Sequence, residues 1–97
     1  MIIQMNEFGK HIGTRNEAIR LRERLLSAFK NDEKVCMDFS DVKSLNTIFA
    51  NELYGKLTNE YDINVIKQNL LFHNANYDIM LTIDKAYKNK LQILQIV

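Results

Sequence analysis

The segment VCMDFSDVKSLNTIFANELYGKL, residues 35–57, decides the fold class of this chain. Its first five residues, Val35–Phe39, contain a continuous apolar run of the kind found in short strands that are covered on both faces of a parallel sheet. A polar loop follows, and a helix is predicted to begin near Asn46 or Thr47. Apolar residues then recur at helical spacing, at Phe49, Leu53 and Leu57. A strand followed closely by a helix is the repeating unit of α/β proteins.

The same alternation extends on both sides of this segment. Towards the N-terminus, residues 2–5 suggest a first strand, and the apolar positions between Thr14 and Phe29 predict a long amphipathic helix. Towards the C-terminus, Asn69–His73 reads as a third strand, and Asn74–Asn76 supplies capping residues for a last helix. Residues 63–66 fit a further short strand or a loop.

The order β-α-β-α-β-α predicts an α/β fold with a mostly parallel sheet of three to five strands packed by helices. We expect Val35–Phe39 to be the central strand. Thr14 and Glu17 have the spacing of a capping box, in which the hydroxyl accepts from the Glu17 amide. Six residues, each on a predicted apolar helix face or in a predicted strand, are expected in the core: Leu25, Met37, Phe49, Leu53, Leu71 and Ile83.

Composition narrows the classes of protein to which the chain can belong. A length of 97 residues predicts a single domain over residues 1–97. A net charge of +1 argues against a dedicated nucleic-acid binder, and the single cysteine permits no internal disulfide. No membrane span or signal peptide is predicted, which favours the cytoplasm. His11, His73 and Cys36 lack metal-ligand spacing, so we expect no metal and no cofactor.

Three stretches in a fixed order carry a family resemblance. They are GTRNEAIRLRERLLSAF (13–29), VCMDFSDVKSLNTIFANEL (35–53) and LLFHNANYDIMLTIDKA (70–86). These stretches resemble the STAS-like domains of the DUF4325 family, which is distantly similar to anti-sigma-factor antagonists. Positions that match the family pattern are Arg15, Asp38-Phe39, Phe49-Ala50-Asn51-Glu52 and Asn74–Asn76.

The resemblance implies a small regulatory module of bacterial type that associates with GHKL-type (histidine-kinase-like) ATPases or kinases. In anti-sigma-factor antagonists, a partner kinase phosphorylates a serine within an Asp-Ser-Ser-Gly step at the start of the second helix. Matching the two patterns at Asp38-Phe39-Ser40 puts Asn46-Thr47-Ile48-Phe49 in the place of that step. Thr47 is therefore the expected phosphoacceptor, with Asn, Ile and Phe at the other three positions.

Three functional hypotheses follow, and the first is a non-enzymatic module that binds a protein partner through the 40–47 loop and the start of the second helix. Its expected partner-binding residues are Ser40, Asp41, Ser44, Asn46, Thr47 and Asn51. The second is a small-ligand-binding protein or enzyme that uses Asp38, Thr47 and Asn74 at one edge of the sheet. The third is a subunit that assembles through the apolar tail, residues 91–97. No catalytic motif supports an enzyme, and helix capping is the structural alternative for the Asn46-Thr47 step.

Overall fold

The computed structural model describes the backbone of residues 1–96 and the side chains of residues 1–88. In chain order the elements are β1 (Ile2–Gln4), a 3-10 turn (Met5–Phe8), β2 (His11–Ile12), α1 (Arg15–Lys30), β3 (Val35–Asp38), β4 (Ser44–Leu45), α2 (Thr47–Ala50), a π-helical segment (Asn51–Gly55), α3 (Ile63–Asn69), β5 (Leu70–His73) and α4 (Tyr77–Ile96). The π-helical segment continues α2 directly, and the two together are called the second helix below.

The main sheet has three parallel strands in the order β1–β3–β5, with β3 in the centre. Cys36 pairs with Ile2 on one side and with Leu71 on the other. The predicted α/β class, the parallel sheet and the central position of β3 are therefore confirmed. A parallel sheet arises because each strand is followed by a helix that returns the chain to the same end of the sheet.

Among the described residues, helices cover one face of this sheet and leave the other face largely exposed. On the covered face Ile3, Val35 and Met37 are buried in one hydrophobic core with residues of α1, the second helix and α4, and the second helix contacts both α1 and α4. On the opposite face Ile2 is 66% exposed and Leu71 is 45% exposed. The predictions that β3 is covered on both faces and that Leu71 is a core residue are wrong. A continuous apolar run does not establish that both faces are covered. Neighbouring residues of a strand point to opposite faces, and an apolar side chain can remain exposed.

The hydrophobic core contains side chains from the main sheet and from α1, the second helix and α4. Leu25, Met37, Phe49 and Leu53 are fully buried, and Ile83 is 1% exposed, which confirms the other five predicted core residues. The Tyr54 hydroxyl donates to the Met37 sulfur at 3.2 Å, so even the polar end of this tyrosine has a partner in the interior.

Two features of the fold were not foreseen from the sequence. The short strands β2 and β4 pair in parallel, His11 with Ser44 and Ile12 with Leu45, as a second sheet. Two residues are too few to give a period of two, so the sequence reads as loop there. Residues 63–66 form the start of α3 rather than a strand. Asp62 caps α3 by accepting from the Asn64 amide at 2.8 Å, which fixes the helical conformation locally.

The two helix starts differ in how they are capped. Asn46 accepts from the Ile48 amide at 2.7 Å and caps the second helix, as the capping alternative predicted. The predicted capping box of α1 is wrong, because the Thr14 hydroxyl donates to the Glu17 carboxylate and does not accept from the backbone. The hydroxyl is directed at the charged Glu17 carboxylate, a strong acceptor, and makes no capping bond to the backbone from that position.

Alanine substitution should separate these two caps. Asn46→Ala is expected to lower the free energy of unfolding by about 1 kcal/mol, the usual cost of losing a side-chain cap. Thr14→Ala, which removes no bond to the backbone, should cost less than about 0.5 kcal/mol, as for ordinary surface changes. Urea unfolding of the two variants gives the comparison. A larger loss for Thr14→Ala than for Asn46→Ala would contradict this assignment.

The C-terminal helix includes residues 91–96 of the tail, for which the sequence left open a helix extension or a strand. α4 extends over Tyr77–Ile96, but the side chains of residues 89–97 lie outside the described residues, as does the hypothesis of assembly through this tail. In the part of the chain that the structure describes, no helix is both long enough and apolar enough to cross a membrane.

Candidate functional site

The small β2–β4 sheet brings the starts of α1 and the second helix side by side. The Asn46 amide donates to the Ile12 carbonyl at 2.7 Å, which anchors the entry to the second helix against the segment that leads into α1. A Cβ atom on Gly13 would lie 3.3 Å from the Asn46 Cβ, so glycine permits this close approach. Side chains from both helix starts therefore share one surface.

A buried carboxylate, Glu52, joins the two helices at this surface. Glu52 is 5% exposed, and it accepts from Lys56 Nζ at 2.8 Å and from Arg15 Nε at 3.3 Å. Arg22 lies 3.4 Å from the same carboxylate and also donates to the Glu52 carbonyl oxygen. The Lys56 hydrogen bond, with help from the two arginines, outweighs burial and lowers the pKa of Glu52 to about 2. Glu52 is therefore ionised at neutral pH.

The contacts between Glu52 and Arg22 lie within the π-helical segment. Residues 51–55 form π-helical turns. Within these turns, the carbonyl oxygen of Glu52 accepts a hydrogen bond from the Arg22 guanidinium. A side chain that inserts into the backbone hydrogen-bond pattern is a known cause of local helix distortion. For Glu52 the sequence left open a pair with a basic residue such as Arg15 or contact with a partner, and the structure shows the Arg15 pair. The spacing of four between Glu52 and Lys56 was a usable signal for that pair, whereas Arg22 is brought in only by tertiary packing.

Beside this ion cluster, three side chains form an exposed ridge on the second helix: Thr47, Ile48 and Asn51. Ile48 is 58% exposed, although it is a large apolar residue in the first turn. On the side facing α4, Thr47 and Asn51 line a small groove of about 120 Å³ together with Thr82, Lys85 and Ala86. On the side facing α1, the helix carries Glu52, whose arginine partners Arg15 and Arg22 lie on α1. The ridge is thus bordered by basic residues from two other helices.

A second polar group, the Asp38 cluster, lies at the carboxyl end of the main sheet and comprises Asp38, Ser40 and Asn74. Asp38 Oδ1 accepts from the Ser40 amide at 2.9 Å, from the Ser40 hydroxyl at 2.7 Å and from Asn74 Nδ2 at 3.0 Å. The Asn74 bond, then the two Ser40 bonds, lower the pKa of Asp38. Asn74 has a φ of 59°, a left-handed conformation that asparagine tolerates better than most residues.

The 40–47 loop is held in place by further contacts along its length. Asp41 takes the left-handed conformation with a φ of 65°, and it is exposed. Asn76 donates to the Lys43 carbonyl at 3.0 Å. The Ser44 hydroxyl lies 2.6 Å from His11 Nδ1. The loop therefore presents a defined surface, because contacts from His11 and from Asn76 hold it in place.

The predicted site residues thus fall into two groups. Asp38, Ser40 and Asn74 are joined by hydrogen bonds in the Asp38 cluster, while Thr47 and Asn51 line the groove against α4. Bonds between Asp38 and its neighbours hold the loop, as expected of a structural carboxylate. The structure adds four residues that were not predicted for this surface: Ile48, Arg22, Lys56 and Lys85. Within the described residues, no three His, Cys, Asp or Glu side chains are grouped for metal binding.

A three-stranded parallel sheet with helices on one face, and a fixed loop leading into the second helix, defines a small α/β domain of the STAS-like class. A family model described as a STAS-like domain of unknown function (DUF4325) matches residues 17–80. The chain therefore belongs to this STAS-like family, which confirms the resemblance carried by the three sequence stretches. No match is found among the curated proteins or among the solved structures.

Proposed function

We propose that the chain is a non-enzymatic regulatory module that binds a protein partner, a GHKL-type ATPase or kinase, in the cytoplasm. The contact surface is the 40–47 loop together with the second-helix ridge of Thr47, Ile48 and Asn51. The GHKL partner comes from the family resemblance, and the surface comes from the geometry of this chain.

The observation that carries the proposal is the exposure of Ile48. Its side chain is 58% exposed and sits between two polar ridge residues on a rigid helix start. A single exposed apolar residue is ordinary on a protein surface. The position of Ile48 supports a binding role, because matching the chain to the pattern of anti-sigma-factor antagonists puts Ile48 within their regulatory step. Loops and helix starts held by a rigid scaffold commonly carry binding function.

The Thr47 hydroxyl is accessible for modification. Thr47 is exposed, and the capping bond of the second helix is made by Asn46, so the fold does not require the threonine hydroxyl as the cap. A phosphate on Thr47 would add up to two negative charges to the ridge. Phosphorylation therefore offers a means of releasing the partner without unfolding the module.

In-cell photo-crosslinking tests the proposal directly. A photoreactive phenylalanine analogue is placed at Asn51 on the ridge or, as the control, at the exposed Asn59 in the turn after the second helix. We expect the Asn51 probe to trap a polypeptide with a GHKL-type ATP-binding domain, and the Asn59 probe to leave it untrapped. Equal trapping at both positions, or a trapped protein of another class, would reject the proposed docking.

The trapped partner then allows the phosphoacceptor to be examined. Binding titrations compare the parent with Thr47→Ala, Thr47→Glu and Asn59→Glu, which is the charge control. Thr47→Glu is expected to weaken binding at least tenfold, about 1.4 kcal/mol, while the other two variants bind as the parent does. If Thr47→Glu stays folded by circular dichroism and still binds normally, the regulatory role of Thr47 is wrong.

A further inference from the structure

We infer that the second-helix ridge binds an acidic segment of its protein partner, one in which an apolar side chain packs on Ile48 while carboxylates face the surrounding basic residues. This inference rests on the proposed function, because it uses the same surface. It adds the chemistry of the partner, which neither the sequence nor the family description contains.

The first support is the charge around the ridge. Arg15 and Lys56, whose side chains are 67% and 45% exposed, lie on the α1 side, and Lys85 lines the groove on the α4 side. Arg22, whose side chain is 19% exposed, adds a fourth positive charge. The buried Glu52 balances only one of these cations, so the α1 side alone keeps a surplus of positive charge at neutral pH.

Nearby acids do not cancel that surplus. Asp78 is one turn before Thr82 on α4, and its backbone oxygen accepts from the Thr82 hydroxyl at 2.9 Å. Counting Asp78 as a neighbour of the groove, and Asp41 and Lys43 from the 40–47 loop, still leaves two more cations than anions around the ridge. The whole chain has a net charge of only +1, so positive charge is concentrated at this surface and not spread evenly. Such a local field attracts and orients an acidic partner.

The second support is that the ion cluster is preorganised. Glu52 holds the arginine and lysine side chains through bonds of 2.8 Å to 3.4 Å, so their positions are fixed before any partner arrives. Binding then costs less side-chain entropy than it would for free surface lysines. Their remaining N–H groups can donate to carboxylates of the partner, since a guanidinium has five N–H donors and Glu52 uses only part of them.

An apolar anchor at the centre favours a protein segment over a nucleic acid. Ile48 lies on the exposed ridge with cations on either side, which matches a helix or loop with one apolar face and acidic flanks. A nucleic-acid site of this size would place aromatic side chains or a continuous basic groove where the bases and phosphates lie. The ridge residues Thr47, Ile48 and Asn51 are neither aromatic nor basic.

Three matched synthetic peptides and a DNA strand are the probes. Each peptide has about 16 residues, long enough to favour a helix, with a leucine spine flanked by glutamate, by glutamine or by lysine. A single-stranded oligonucleotide of random sequence is the fourth probe. Amide chemical shifts of the isotope-labelled full chain locate each contact. We expect the glutamate peptide alone to shift the Ile48 and Asn51 amides, and its affinity to fall at least tenfold between about 0.05 and 0.3 M salt, since screening weakens surface charge pairs.

Two pairs of variants confirm the location. Lys85→Glu should weaken the glutamate peptide at least fivefold, while Lys67→Glu, the same charge change at an exposed lysine of α3, should not. Ile48→Ser should weaken it similarly, while Val65→Ser at another exposed apolar position should not. Neither test residue contacts Glu52, so the ion cluster remains intact.

The outcomes separate this inference from the proposed function. If the glutamine peptide shifts the same amides with equal affinity, the ridge is a docking surface, but the acidic chemistry is wrong. If the lysine peptide or the oligonucleotide is preferred, the inference is overturned in favour of that class of ligand. If no probe shifts the ridge amides, the inference fails, while the proposed function is still judged by its own crosslinking result.

Discussion

Replacing Leu53 with alanine is expected to lower the free energy of unfolding by roughly 2–5 kcal/mol, the range seen when a buried leucine is truncated. Leu53 is fully buried in the π-helical segment, which packs against both α1 and α4. Three helices cannot close over the missing atoms without losing other contacts, so part of the cavity should persist. Urea unfolding followed by circular dichroism measures the change.

Ile48→Ala is the matched control for Leu53→Ala. Both positions lie on the second helix and both lose a branched aliphatic side chain, but Ile48 is 58% exposed. We expect the control to change stability by no more than about 0.5 kcal/mol, as is usual for surface positions. Similar losses for the two variants would mean that the buried face of the second helix has been assigned incorrectly.

Replacing Glu52 with glutamine should destabilise the fold by roughly 3 kcal/mol, the lower end of the range for removing one partner of a buried ion pair. The substitution leaves Arg22, Arg15 and Lys56 around a neutral amide. Two of these cations are largely exposed and can regain water, which keeps the loss at the lower end. Asp84→Asn is the control, because Asp84 forms an exposed pair with Lys88 at 2.9 Å and the same spacing of four. That pair should contribute less than about 1 kcal/mol.

The Glu52 contribution should also depend on pH. Its pKa is lowered from 4.5 to about 2 in the folded chain, so the unfolded chain binds the proton more readily. The stabilisation is therefore complete above pH 4.5 and is lost as the pH falls from 4.5 towards 2. The difference in stability between the parent and Glu52→Gln should shrink across this window. A difference that stays constant down to pH 2 would show that the ionised carboxylate is not its source.

The sequence by itself determined the class of fold and much of its core. Alternating strands and helices specified a parallel sheet, because a chain that returns through a helix re-enters the sheet in the same direction. Spacings of three and four residues along α1 and the second helix specified which side chains are buried, including Leu25, Phe49 and Leu53. The Asn46 cap could also be predicted from the sequence, since an asparagine directly before a run of residues with helical apolar spacing is a preferred N-cap. These features depend on neighbours within a few positions in the chain.

Tertiary structure alone decided which face of the sheet is covered and which charges meet at the ridge. Leu71 and Met37 look alike in sequence, yet one is exposed and the other buried, because they lie on opposite faces of the sheet and the core forms on the face of Met37. Arg15 and Arg22 reach Glu52 across 37 and 30 positions of chain, a contact that no local spacing encodes. The pairing of β2 with β4 brings the two helix starts together. Burial of a carboxylate demands compensating cations, so packing selected the basic residues that surround the ridge.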